Sequence, residues 1–95
     1  MKRPLILIGG GGHCKSVIEV AESAGYEIKG ILDMPDEVGK EVLPGHKVIG
    51  TDDEIPQYVE ECDFIITVGF IKNPALRIKL YNKVKAAGGR LATII

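Results

Sequence analysis

Four consecutive glycines, Gly9-Gly10-Gly11-Gly12, follow the apolar run Leu5–Ile8 and lead into His13. Glycines at a strand-to-helix junction let the backbone turn sharply and approach a ligand closely. The free N–H groups and the dipole of the helix that follows attract an anion, so the chemistry to expect is phosphate binding. A tight turn that binds nothing is the competing reading. The spacing departs from the dinucleotide fingerprint: counted from Gly10 the third glycine position holds Lys15, and counted from Gly9 it holds Cys14. That glycine permits close helix–strand packing beneath a pyrophosphate, and its absence weakens an NAD reading. No Gly-Lys-Ser/Thr follows, so the Walker A spacing fails as well.

Other polar residues lie at informative places. His13 stands where the loop meets the helix and could donate to a phosphate or a sugar; otherwise it is a surface residue of the cap region. Cys14 at a helix start could have a lowered pKa, but no His/Asp spacing supports a nucleophile, and it reads as a small core residue. Asp33 closes the second apolar run about 20 residues after the glycines, where dinucleotide-binding folds place the carboxylate that grips a ribose. The alternative is an exposed loop aspartate. Gly69 closes the apolar run Phe64–Val68 and either lines the crevice opposite the glycine loop or merely turns the chain. Lys72, Arg77, Lys79, Lys83 and Lys85 read mainly as the solvated face of a helix, with Arg77 the one that could reach the crevice. His46 has no metal-ligand partners at useful spacing, and neither a metal site nor a pair of catalytic groups is expected in the chain.

The elements that must position these residues alternate short apolar runs with amphipathic segments, the pattern of βαβ units around a parallel sheet. Leu5–Ile8 is a strand buried on both faces. A helix follows over roughly 13–24, with Val17, Ile18, Ala21 and Ala24 on one stripe and Gly25 at its end. Strand two is Ile28–Leu32, closing on Asp33. Met34–His46 reads as a loop with room for a turn of helix. Lys47–Ile49 is a third strand. Thr51 and Glu54 then stand at capping-box spacing, with Pro56 in the first turn and Ile55, Tyr58 and Val59 facing inward. Phe64–Val68 is the fourth strand. Asn73-Pro74 starts a helix whose stripe is Leu76, Leu80 and Val84 and which ends at Gly88. Leu91–Ile95 is the fifth strand. The fold class is α/β: a small Rossmann-like parallel sheet of about five strands with helices on both faces and a ligand crevice at the carboxyl ends of strands one and four.

At 95 residues, 45% hydrophobic and 26% charged, residues 1–95 make one ordinary globular domain. The formal net charge of −1 speaks against nucleic acid as a partner. Cys14 and Cys62 form no CxxC pair and read as reduced thiols. The apolar run after Lys2-Arg3 is too short for a secretion signal or a membrane helix, which makes the expected location cytoplasmic. The chain stops inside an apolar strand, which reads as a piece of something longer.

The sequence resembles the N-terminal domain of the PglD/NeuD-type sugar acyltransferases. The matching residues are Leu5–Ile8 with the glycine loop, His13, Lys15, Val17 and Ile18; Ile31-Leu32-Asp33; Val48-Ile49-Gly50 before an acidic helix start; Val68-Gly69 with Asn73 and Arg77; and the closing Ala92-Thr93-Ile94-Ile95. The resemblance implies that Gly10, Gly11, Gly12, His13, Asp33 and Gly69 contact a nucleotide-sugar, with a UDP- or CMP-linked sugar as the partner. It implies that a C-terminal left-handed β-helix, absent from this chain, binds acetyl-CoA, forms a homotrimer and supplies the catalytic histidine. On that reading these 95 residues bind without catalysing, need no cofactor of their own and are monomeric or weakly dimeric. Unbroken glycine stands where the family often has a small residue or Ser within the loop, and Met34 stands where a second acidic residue often follows. A sensing module for NAD or CoA, and a docking domain with an empty crevice, are the competing functions.

Overall fold

The computed structural model describes residues 3–67 and 74–92. Five strands form one sheet in the order β3-β4-β2-β1-β5. Strand β1 (Leu5–Ile8) lies between β2 (Ile28–Asp33) and β5 (Asp63–Ile66), parallel to both, and all four of its residues are buried. Its alternation divides the core. Leu5 and Leu7 join Cys14, Ile18 and Ala21 of helix α1 (Gly12–Ser23), together with Ile31 and Val48. Ile6 and Ile8 face the other way, onto Leu32, Ile55, Phe64, Leu80 and Val84. The last two belong to helix α2 (Pro74–Ala86). Helices therefore cover both faces of the sheet, and the expected α/β class holds.

Local chemistry explains the ends of these elements. Helix α1 stops at Gly25, whose φ of 89° is left-handed; Gly25 N–H donates to Glu22 O and Tyr26 N–H to Ala21 O, both at 3.0 Å. These are the two bonds of a Schellman motif. Ala24, placed on the buried stripe by spacing, is the C-cap residue and is exposed. The capping box is present: Thr51 N–H donates to Glu54 Oε2 at 2.7 Å, and Asp53 N–H donates to Thr51 Oγ1 at 3.3 Å. It opens a 3-10 helix, Asp52–Gln57, with Pro56 in its interior rather than in its first turn. A proline there removes a donor and crowds the preceding turn, which keeps the element short.

The segment 34–46 holds more order than a loop. After a 3-10 turn at Pro35–Glu37, strand β3 (Glu41–Leu43) runs antiparallel to β4 (His46–Thr51) across a turn at Pro44-Gly45. One edge of the sheet is therefore antiparallel, while β4, β2, β1 and β5 are parallel. At the other edge the expected strand Leu91–Ile95 is present as a parallel bridge from Leu91 to Phe64, and residues 93–95 lie outside the described part. Val68 and Asn73 also lie outside it. Arg3 fastens the start of β5: its guanidinium donates to Val59 O and Cys62 O and meets Asp63 Oδ1 at 2.9 Å.

Phe64 is fully buried between α2 and the sheet, whereas Ile78 on the outer side of α2 is 61% exposed. Phe64→Ala should remove about 3–5 kcal/mol of stability through lost transfer energy and a cavity, and Ile78→Ala less than about 0.5 kcal/mol. Urea unfolding of the two variants checks this division; comparable losses would contradict it.

Candidate functional site

Because Ile8 pairs with Leu32 on one side and Ile66 on the other, the next residues, Asp33 and Thr67, arrive on either side of Gly9. Here the backbone turns, with Gly9 at a left-handed φ of 116°. Gly9 N–H donates to Leu32 O at 2.8 Å, and Gly9 O accepts from the Thr67 hydroxyl. Gly10 N–H donates to Asp33 Oδ2 at 3.0 Å, while Met34 N–H donates to Asp33 Oδ1 at 2.9 Å. The carboxylate of Asp33 thus spends one lone pair of each oxygen on the backbone and keeps acceptor capacity for a ligand.

Gly10 and Gly11 are glycines for different reasons. A Cβ on Gly10 would sit 2.8 Å from Asp33 Oδ2, so the close approach of loop and carboxylate needs the bare backbone. A Cβ on Gly11 would meet nothing within 4 Å. Gly11 is the N-cap of α1, with no side-chain cap and no acidic residue in the first turn. The first N–H groups of a helix have no intrahelical acceptor, and the dipole places partial positive charge there. The loop and helix start together form a site suited to an anion.

His13, the second residue of α1, is exposed and borders a shallow depression with Ser16, Val17 and Val20. Cys14 points into the core instead; burial pushes its thiol up to about 11, partly offset by a hydrogen bond with Thr67. A thiol held protonated is no nucleophile. A cavity of about 330 Å³ opens at the carboxyl edge of the sheet between Gly9, Asp33, Pro35, Leu76, Lys79 and Lys83. Lys83 Nζ lies 2.9 Å from Asp52 Oδ2 and 2.8 Å from Asp53 Oδ1, tying α2 to the 3-10 helix at the cavity mouth. Those two bonds raise the Lys83 pKa, and the bond to Lys83 lowers that of Asp53.

The structure thus gathers Gly10, Gly11, Gly12 and Asp33 at one edge, with His13 on the adjoining helix turn; Gly69 lies outside the described residues. Arg77 does not reach this cavity. It donates to Ile66 O at 3.3 Å and borders a separate groove with Ile78, Tyr81 and Leu91. His46 faces Glu22, Nε2 to Oε2 at 3.0 Å. Among the described residues no cluster of His, Cys, Asp and Glu could hold a metal ion, and no helix is long and apolar enough to cross a membrane. Sequence reasoning missed Thr67, whose role depends on strand register, and the place of Lys79 and Lys83. The signal for the lysines was their spacing beside Leu76 and Leu80 on one side of α2.

The model of the PglD N-terminal domain family matches residues 4–84. The chain belongs to that family. Among solved structures it resembles a variant of perosamine N-acetyltransferase from Caulobacter crescentus, in complex with CoA and GDP-perosamine. The identity is 31%, over 97% of this chain and 42% of that one, with a TM-score of 0.80. It also resembles the acetyltransferase domain of PglB from Neisseria gonorrhoeae in complex with acetyl coenzyme A. There the identity is 30%, over 94% of this chain and 42% of that one, with a TM-score of 0.71. This PglD N-terminal domain spans less than half the length of either structure. No curated protein sequence matches it.

Replacing Gly10 with Ala should push Asp33 away and break its bond to the loop, costing about 1.5–3 kcal/mol, the usual worth of a hydrogen bond to a charged group. Gly11→Ala, at φ −80° with open space around it, should stay within about 1 kcal/mol of the parent. Thermal unfolding of both variants measures the contrast, and equal losses would contradict the packing described.

Proposed function

We propose that residues 1–95 are the nucleotide-sugar-binding domain of a cytoplasmic acetyl-CoA-dependent sugar acetyltransferase of bacterial glycan biosynthesis. The observation that carries this reading is the uncapped start of α1 on a glycine loop, with Asp33 fastened beside it. An uncapped helix start suits a diphosphate, and a carboxylate at the end of the second strand suits a ribose. Gly10, Gly11, Gly12, His13, Asp33 and Gly69 are the proposed contacts. The cavity of about 330 Å³ beside Gly9 is of a size for a nucleoside.

The solved acetyltransferases support the class of ligand: perosamine N-acetyltransferase carries GDP-perosamine, which adds GDP to the UDP and CMP expected from the sequence. In the parent enzyme a sugar amine or hydroxyl attacks the thioester carbonyl of acetyl-CoA. The thiol of CoA leaves, and a histidine outside this chain takes the nucleophile's proton. This domain supplies the substrate's anchor rather than the chemistry. The β-helix that would hold acetyl-CoA and the trimer contacts belong to the rest of that enzyme, so the present chain alone should be monomeric or weakly dimeric.

Isothermal titration with GDP- and UDP-linked amino-sugars, CMP-sialic acid, NAD and acetyl-CoA tests the reading. Saturable binding of one nucleotide-sugar is expected. Gly11→Val, which places its side chain in the open space before the helix, should weaken it by about tenfold or more. Selective binding of NAD or acetyl-CoA would instead favour a sensing module.

A further inference from the structure

Thr67 is the one buried polar side chain among the described residues, 1% exposed, and it follows strand β5 in an otherwise apolar stretch. Valine has the same shape and would suit the position without a hydroxyl to satisfy. The hydroxyl of Thr67 donates to Gly9 O. Gly9 O and Gly10 N–H belong to a single peptide group. Its carbonyl end is held by Thr67 and its amide end by Asp33.

That peptide joins two glycines, so no Cβ on either side resists its rotation. Turning it over would aim the Gly9 carbonyl at the Asp33 carboxylate and leave Gly10 N–H without that acceptor. A donor on one side and a carboxylate on the other therefore select one orientation of the group that leads into the helix start.

We propose that Thr67 is a positioning residue for nucleotide binding: with Asp33 it clamps the Gly9–Gly10 peptide, and so keeps the following N–H groups of the loop and helix start turned toward the phosphates. The proposal rests on the nucleotide-sugar reading above. Thr67 acts through the backbone and touches no substrate. A purely structural role would affect the fold and leave the loop amide and the affinity in proportion; the clamp affects Gly10 and ligand affinity while the sheet is unchanged.

The test compares the parent chain with Thr67→Val and Thr67→Ser by amide hydrogen exchange and by titration with GDP. In Thr67→Val, Gly10 exchange should quicken and GDP affinity should fall, each by about tenfold, the usual effect of one lost hydrogen bond. Exchange at Leu7 and Ile31 should not change. Thr67→Ser, which keeps the hydroxyl, should bind GDP within about twofold of the parent. Unchanged Gly10 exchange or unchanged affinity in Thr67→Val, with the parent binding GDP normally, would overturn the clamp alone. A parent chain that binds neither GDP nor the nucleotide-sugars would overturn the nucleotide reading and the clamp's part in it, even with Gly10 exchange altered.

Discussion

The carboxyl edge of the sheet depends on how the chain leaves its central strand. Strand β1 is buried on both faces and flanked in register by β2 and β5, so the first residue beyond it is enclosed on both sides. Gly9 meets this constraint with a left-handed turn, and its two backbone groups are satisfied by Leu32 O and the Thr67 hydroxyl. Buried backbone groups without partners are costly, so the register of three strands and the course of the loop are set together. Helix α1 can then start directly over the sheet, while Cys14 and Ile18 anchor it on Leu5 and Leu7.

Much of this was legible in the residues. The alternation in Leu5-Ile6-Leu7-Ile8 carries both faces of the core, and the glycines that follow mark the turn. Asp33 could be placed at the end of β2 because an apolar run stops there. Its bond to Gly10 could not, because that bond depends on how two parallel strands align. Strand β3 escaped notice because it has three residues, half exposed, between turn-forming segments; its pairing with β4 gives it order that its own composition does not. The capping box at Thr51 was readable, but the 3-10 form of what it starts reflects Pro56 and the short distance to β5.

Charge at the cavity mouth shows the same limit. Lys79 and Lys83 looked like part of a solvated helix face, and only the packing of α2 on the 3-10 helix brings Lys83 between Asp52 and Asp53. Arg77, two residues before Lys79, turns to the β5 edge and bonds to Ile66 O. A helix sends neighbouring residues to different sides, so the sequence marks a basic element without saying which of its cations reach a site. The proposed binding function thus draws on backbone groups and one carboxylate more than on basic side chains, in keeping with a net charge of −1.

The most direct measurement of where this domain binds its ligand is amide chemical-shift mapping of the isotope-labelled chain during titration with a GDP-linked amino-sugar. Saturable shifts are expected at Gly10, Gly11, His13, Asp33 and Met34, the residues around the glycine loop and the end of β2. Shifts confined to the groove at Ile78, Tyr81 and Leu91, or none at high ligand concentration, would contradict it.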